Sequence, residues 1–164
     1  MIPVLDATAG NFAAEADSMT VAGNLTTSSS VGMSLDVDGD VMIGGNLNAL
    51  SDLNIAAAGD LEVAQNVNAE FSNLELMADR MRFGGSLVKA ASLRLTALGG
   101  GDESPVLFLN ENGVQLLVEG DFNLDSNAPA GVAGLGAMGS LSLNAENIDL
   151  GTSTATALGD LTLS

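Results

Sequence analysis

A 20-residue period governs this sequence. Residues 39–58 read GDVMIGGNLNALSDLNIAAA, residues 59–78 read GDLEVAQNVNAEFSNLELMA and residues 79–98 read DRMRFGGSLVKAASLRLTAL. Self-similarity at a short fixed period marks architectures in which no repeat can bury its apolar face alone and stacked neighbours share one core. Each unit carries three apolar–x–apolar triplets. They are Val41/Ile43, Leu47/Ala49 and Leu53/Ile55 in the first unit, and Leu61/Val63, Val67/Ala69 and Leu74/Leu76 in the second. The third unit has Met81/Phe83, Leu87 with Lys89, and Leu93/Leu95, so Lys89 breaks the apolar rule.

Apolar–x–apolar is the period-2 pattern of a half-buried strand, and the intervening Asn48, Asn54, Glu62, Asn68, Glu75, Arg82 and Arg94 suit solvent. Gly, Asp, Asn and Ser between the triplets are turn residues. Three short strands per 20 residues predict an all-β, single-domain, three-sided parallel β-solenoid, or β-helix, over residues 1–164. About eight coils of ~20 residues fit, a rod of roughly 40 Å at a strand spacing of ~4.8 Å. Gly and Asn interrupt every helical window, and a β-sandwich of short strands has no reason to hold a 20-residue register.

The pattern continues outward with faults. Residues 17–38 make a 22-residue coil if Thr26 to Ser30 bulge at a corner, and residues 99–105 read as a loop excursion before Val106/Phe108 and Val114/Leu116 resume. Gly120-Asp121-Phe122-Asn123-Leu124, Gly139-Ser140-Leu141-Ser142-Leu143 and Gly159-Asp160-Leu161-Thr162-Leu163 are expected to restart successive coils.

Composition narrows the chemistry. The 164 residues hold 21 acids against 4 bases, a formal charge of −17, and no Cys, His, Trp or Tyr. That inventory removes thiol and imidazole nucleophiles and the ligands of soft metals. Such acidity opposes phosphate backbones, and no run approaches the ~20 apolar residues of a membrane span, so neither nucleic acid nor membrane insertion is expected. Residues 1–12 carry neither the basic start nor the apolar run of a Sec-type signal. Asp36, Asp38 and Asp40 surround Gly39, yet the twelfth position from Asp36 is Leu47 where a calcium loop needs Glu. Gly99-Gly100-Gly101-Asp102 occurs once without the repetition of a calcium-binding β-roll. No catalytic residue, cofactor or metal ligand is assigned; calcium at acidic corners stays open. An enzyme is not expected, because carboxylate pairs acting on sugars need a shaped groove and aromatic platforms.

The Gly-Asp-Leu-x-Leu units at 120 and 159 resemble repeats of filamentous-haemagglutinin-type adhesins, and Gly39-Asp40-Val41 with Gly45-Asn46-Leu47 resembles the short repeats of bactofilins. The first resemblance implies a right-handed β-helix and surface adhesion, the second a β-helix that polymerises end to end.

The ends carry the functional expectation. Residues 1–16 and 159–164 read as incomplete end coils, and together they equal the 22-residue coil that begins at Asp17. One subunit's tail would then complete the next subunit's first coil, with Ile2, Val4, Leu5 and Phe12 meeting Gly159, Asp160, Leu161 and Leu163. All four bases, Arg80, Arg82, Lys89 and Arg94, fall within 15 residues that hold no acid. They read either as coil-to-coil partners, Glu62 with Arg82 and Glu75 with Arg94, or as a lateral contact with an acidic neighbour. The sequence therefore predicts a self-assembling structural protein, a homopolymer stacked head to tail. A monomeric adhesin module for glycans or cations is the alternative. The acidic, lysine-poor surface leans to an extracellular or cell-surface location, with a cytoplasmic scaffold as the other option.

Overall fold

The computed structural model describes residues 5–7, 12–27, 32–99 and 103–164, with backbone placement alone for 5–7 and 12–16. The described residues are all β, without a helix, and every strand pairing is parallel.

Three ladders of strands result. The first stacks Met19–Val21, Val41–Ile43, Leu61–Val63, Met81–Phe83, Val106–Phe108, Leu135–Ala137 and Ala155–Ala157 in chain order. The second runs from Leu5–Ala7 through Leu25–Thr27 and Leu47–Ala49 to Val114–Val118, Leu141–Asn144 and Leu161–Leu163. The third runs from Phe12–Ala16 through Met33–Val37 and Leu53–Ala57 to Asp121–Ser126 and Asn147–Asp149. The long strands Val67–Ala78 and Leu87–Ala97 bend from the second ladder into the third, with a register shift between Ala69 and Asn73.

Alternation drives this arrangement. In Met33–Val37 and Val114–Val118 the odd positions are buried and the even ones exposed, as a strand with one apolar face requires. Stacking in register then makes apolar columns. One runs Leu25, Leu47, Val67, Val88, Leu116 and Leu143, all buried. Removing each such side chain from water contributes about 1.5–3 kcal/mol. Phe83 and Phe108 stack ring on ring at 5.1 Å between centroids.

Corners are tied by side chains. The Asn24 amide oxygen accepts the Asn46 N–H at 2.8 Å, the Asn46 oxygen accepts the Asn66 N–H at 3.0 Å, and the Asn66 oxygen accepts the Ser86 N–H at 3.0 Å. Asp40 Oδ1 takes the Asp60 N–H at 2.9 Å, and a Cβ on Gly59 would clash with that same oxygen. Glycine before Asp60 therefore leaves room for the corner bond.

Four local expectations need correction. Val88 and Ala90 point inward in place of Leu87 and Lys89, a one-residue shift that keeps the ammonium out of the core. Thr26 and Thr27 belong to a strand, paired with Asn48 and Ala49, while 28–31 lie outside the described residues. Gly120-Asp121 opens a third-ladder strand, whereas Gly139-Ser140 and Gly159-Asp160 open second-ladder strands, so the even spacing hid a change of side. The loop that absorbs the difference, 127–134, breaks the 20-residue period that the sequence predicts: Val106 pairs with Leu135, 29 residues on. The excursion expected at 99–105 does lengthen the Met81 to Val106 step to 25 residues, with 100–102 outside the described part.

Candidate functional site

The end that carries Leu161–Leu163 differs from the interior in burial. Leu161 and Leu163 hold the inward positions of a second-ladder strand, directly over Leu141 and Leu143, yet they are exposed. Ala155 and Ala157 on the first ladder and Ile148 on the third are half-buried for the same reason. Backbone polarity adds to this. Within the ladders Met19 N–H donates to Asp40 C=O and Val41 N–H to Asp60 C=O, each toward the later strand. Leu135 likewise donates to Thr154 C=O and Leu141 to Asp160 C=O. By that alternation the N–H groups of Ala155, Ala157, Leu161 and Leu163 face away from the body, with no ladder partner among the described residues. A sheet edge with open donors above an apolar slice is a template for another strand.

Gly159 and Asp160 form the corner of this edge. The Asp160 N–H reaches Ser140 Oγ at 3.1 Å, and a Cβ on Gly159 would meet that oxygen at 2.5 Å. At the opposite end Ile2 and Val4 lie outside the described residues. Leu5 sits in the second ladder, paired with Leu25, and Phe12 in the third, paired with Met33; their side chains are outside the described part. Ser164 thus follows the second strand of a turn of chain, Ala155–Ala157 being the first, where sequence spacing suggested a first strand. The error came from equating the Gly159 corner with Gly39 and Gly59, which precede first-ladder strands.

The four bases all find acids within the chain. Arg80 makes a two-pronged pair with Asp60, Nη2 to Oδ2 at 2.7 Å and Nε to Oδ1 at 3.0 Å, and that hydrogen bond with its charge raises the Arg80 pKa. Lys89 meets Glu70 at 3.6 Å and Arg94 meets Glu75 at 4.0 Å. Arg82 is in register with Glu62 as expected, but its ion pair goes to Glu103 at 3.2 Å, because the excursion brings that carboxylate over the strand.

Carboxylates are spread unevenly around the molecule. Asp36, Asp52, Asp79, Asp121 and Asp125 lie on the third ladder or its two corners, while the first and second ladders and the corner between them carry Glu62, Glu111 and Asp160 among the described side chains. Among the described residues no group of three acids is placed to hold a metal ion, and no helix is long and apolar enough to cross a membrane. A groove of about 680 Å³, open to solvent, follows the third ladder past Asp52, Asn54, Asn73, Ser92 and Asn123. Compared with known proteins, the chain matches no family model, no curated protein and no solved structure, so its likeness to adhesin and bactofilin repeats rests on the residues quoted above.

Proposed function

We propose that the three ladders are the sides of a three-sided parallel β-solenoid of about eight coils, counting incomplete ones, and that it is the subunit of a head-to-tail filament. The observation that carries this reading is the open edge at Ala155–Ala157 and Leu161–Leu163, where outward N–H groups lie over exposed leucines. In the stack, Ala155–Ala157 seats against Met19–Val21 of the next copy and Asn147–Asp149 against its Phe12–Ala16. The second-ladder place between them takes one strand, either Leu161–Leu163 or the neighbour's Leu5–Ala7. The role is mechanical or surface-coating, at the cell exterior, with the acidic side keeping fibres apart.

Negative-stain electron microscopy with sedimentation tests it. The chain should form long unbranched fibres whose mass rises with concentration. Ala157→Pro removes one outward N–H and puts ring carbon where the next strand would lie, leaving the inward-facing bonds intact. It should abolish the fibres and give the melting curve that the unaltered chain shows when diluted below assembly. A monodisperse monomer for the unaltered chain at every concentration would overturn the filament. Sodium and calcium compared at equal ionic strength separate screening of the −17 charge from cation binding; bundling by calcium alone would show ligation.

A second reading, a glycan- or surface-binding module, draws on the groove of the third ladder, where Asn54, Asn73, Ser92 and Asn123 lie among Asp52, Glu75, Arg94 and Asp121, and on Phe71, 81% exposed at the neighbouring corner. Under it, Ala157→Pro leaves binding to a glycan array unchanged.

A further inference from the structure

The corner that opens the second ladder repeats one bonding device. Asn24, Asn46, Asn66, Ser140 and Asp160 each stand directly before a second-ladder strand. The side-chain oxygens of the first four accept the N–H at the same place one strand on: Asn46 at 2.8 Å, Asn66 at 3.0 Å, Ser86 at 3.0 Å and Asp160 at 3.1 Å. Backbone bonds reinforce the same steps, since Leu25 N–H donates to Asn46 C=O, Leu47 N–H to Asn66 C=O and Leu141 N–H to Asp160 C=O. Asn46, Asn66 and Asp160 are therefore each held twice by the strand before them, once through N–H and once through C=O. Asp160 is the next acceptor in this series. Its carboxylate is exposed and meets no donor among the described residues, and the Leu161 N–H beside it faces away from the body.

We infer that Leu161–Leu163 fills the contested second-ladder place at the joint between copies and turns out the neighbour's Leu5–Ala7, with Asp160 selecting it by accepting the N–H of the next copy's Asn24. The inference rests on the filament reading and names the strand that reading leaves open. Leu5 pairs with Leu25, so the residue in register with Asn24 is Val4, and a valine has no side-chain oxygen to offer. Asp160 has two, and a charged acceptor makes the stronger bond. The Leu161 N–H would reach the C=O of the same Asn24, which reproduces the double hold seen at Asn46 and Asn66. Packing favours the same strand. Leu161 and Leu163, 42% and 43% exposed, would lie under Leu25 and Thr27, where Leu5–Ala7 brings one leucine and one alanine. Both strands cannot be kept, because the second ladder would then stand one step of ~4.8 Å taller than the other two.

Disulfide trapping in the fibre reads the occupant directly. The chain has no cysteine. Thr26 and Thr162 both face outward in the second ladder, six strand steps apart in one copy, ~29 Å and too far for an internal bond. In the inferred joint Thr162 lies one step below the next copy's Thr26, so oxidised fibres of Thr26→Cys with Thr162→Cys should run as a series of covalent oligomers in denaturing gels. If Leu5–Ala7 keeps the place, Asp6 lies over Ser142 of the copy below, and Asp6→Cys with Ser142→Cys gives the series instead. That result, or fibres that cross-link with neither pair, overturns the inference and leaves the filament standing; an absence of fibres overturns both. Asp160→Ala tests the selecting residue. It should raise the protein concentration needed for assembly about tenfold while the melting curve of the dilute chain stays the same, and Asp160→Asn should restore assembly, as asparagine serves at 24, 46 and 66. Assembly of Asp160→Ala at the concentration of the unaltered chain, or equal losses for the two variants, overturns the role of Asp160 as acceptor.

Discussion

Two copies of one motif lie on top of each other in the second ladder with opposite fates. Gly139-Ser140-Leu141-Ser142-Leu143 and Gly159-Asp160-Leu161-Thr162-Leu163 pair in register, leucine over leucine. Leu141 and Leu143 are 1% and 0% exposed, Leu161 and Leu163 are 42% and 43%. The backbone and the inward direction are the same; what differs is whether another strand lies above. In this fold burial belongs to the stack, because a strand of three residues hides its side chains only under its neighbour. The outer strand is a core strand without its cover, and that is why the proposed function resides there.

The comparison breaks most forcefully at its buried member. Leu143→Ala should cost about 2–5 kcal/mol in urea unfolding, because the cavity is roofed by Leu163 and walled by Leu116. A cost below 1 kcal/mol would mean that the stack closes readily over a missing side chain. Next in size is the corner bond between stacked turns. Asp40→Ala deletes the acceptor of the Asp60 N–H and should cost about 1 kcal/mol, with Asp40→Asn restoring most of it, since Asn24, Asn46 and Asn66 do the same work with amides. Equal losses for the two variants would assign the effect to charge.

A smaller effect is expected from the bases. Arg94→Ala breaks a 4.0 Å pair between side chains that are both more than half exposed, and a change under about 0.5 kcal/mol is expected in thermal melts. Arg80→Ala, which loses two hydrogen bonds to Asp60, should cost more than Arg94→Ala. The reverse order would mean that the Glu75 pair anchors the corner where the register shifts.

The period carried most of the strand positions from 41 to 97, because there each apolar–x–apolar triplet falls where the previous one predicts. It failed wherever two arrangements satisfy the same local pattern. Leu87/Lys89 and Val88/Ala90 are both legible as a triplet, and only the column beneath them, Val67 and Ala69, decides for the second. Gly120-Asp121 and Gly159-Asp160 look alike because a corner needs the same small and polar residues whichever side it opens; which side follows depends on how many residues a loop such as 127–134 has absorbed. That Leu161 and Leu163 alternate along one strand was legible in sequence, whereas their ladder was not. The alignment of Leu109, Met138 and Leu158 is hidden for a related reason: these residues sit 29 and 20 apart and become a column only when the first ladder is in register.

The smallest expected change is the most discriminating. Leu163→Ala removes the same atoms as Leu143→Ala from the equivalent place one strand higher, where they are still 43% exposed. In a dilute monomer the cost should be a minor fraction of the Leu143 cost, about 0.5 kcal/mol or less, because little transfer from water is lost and no cavity forms. Assembly changes the reference state. A partner strand laid over Leu163 would bury it as Leu163 buries Leu143, and binding that favours the folded form raises apparent stability with concentration. The gap in melting temperature between the unaltered chain and Leu163→Ala should therefore widen as protein concentration rises, while the gap for Leu143→Ala stays constant. If both gaps stay flat, no partner strand covers Leu163 at any concentration.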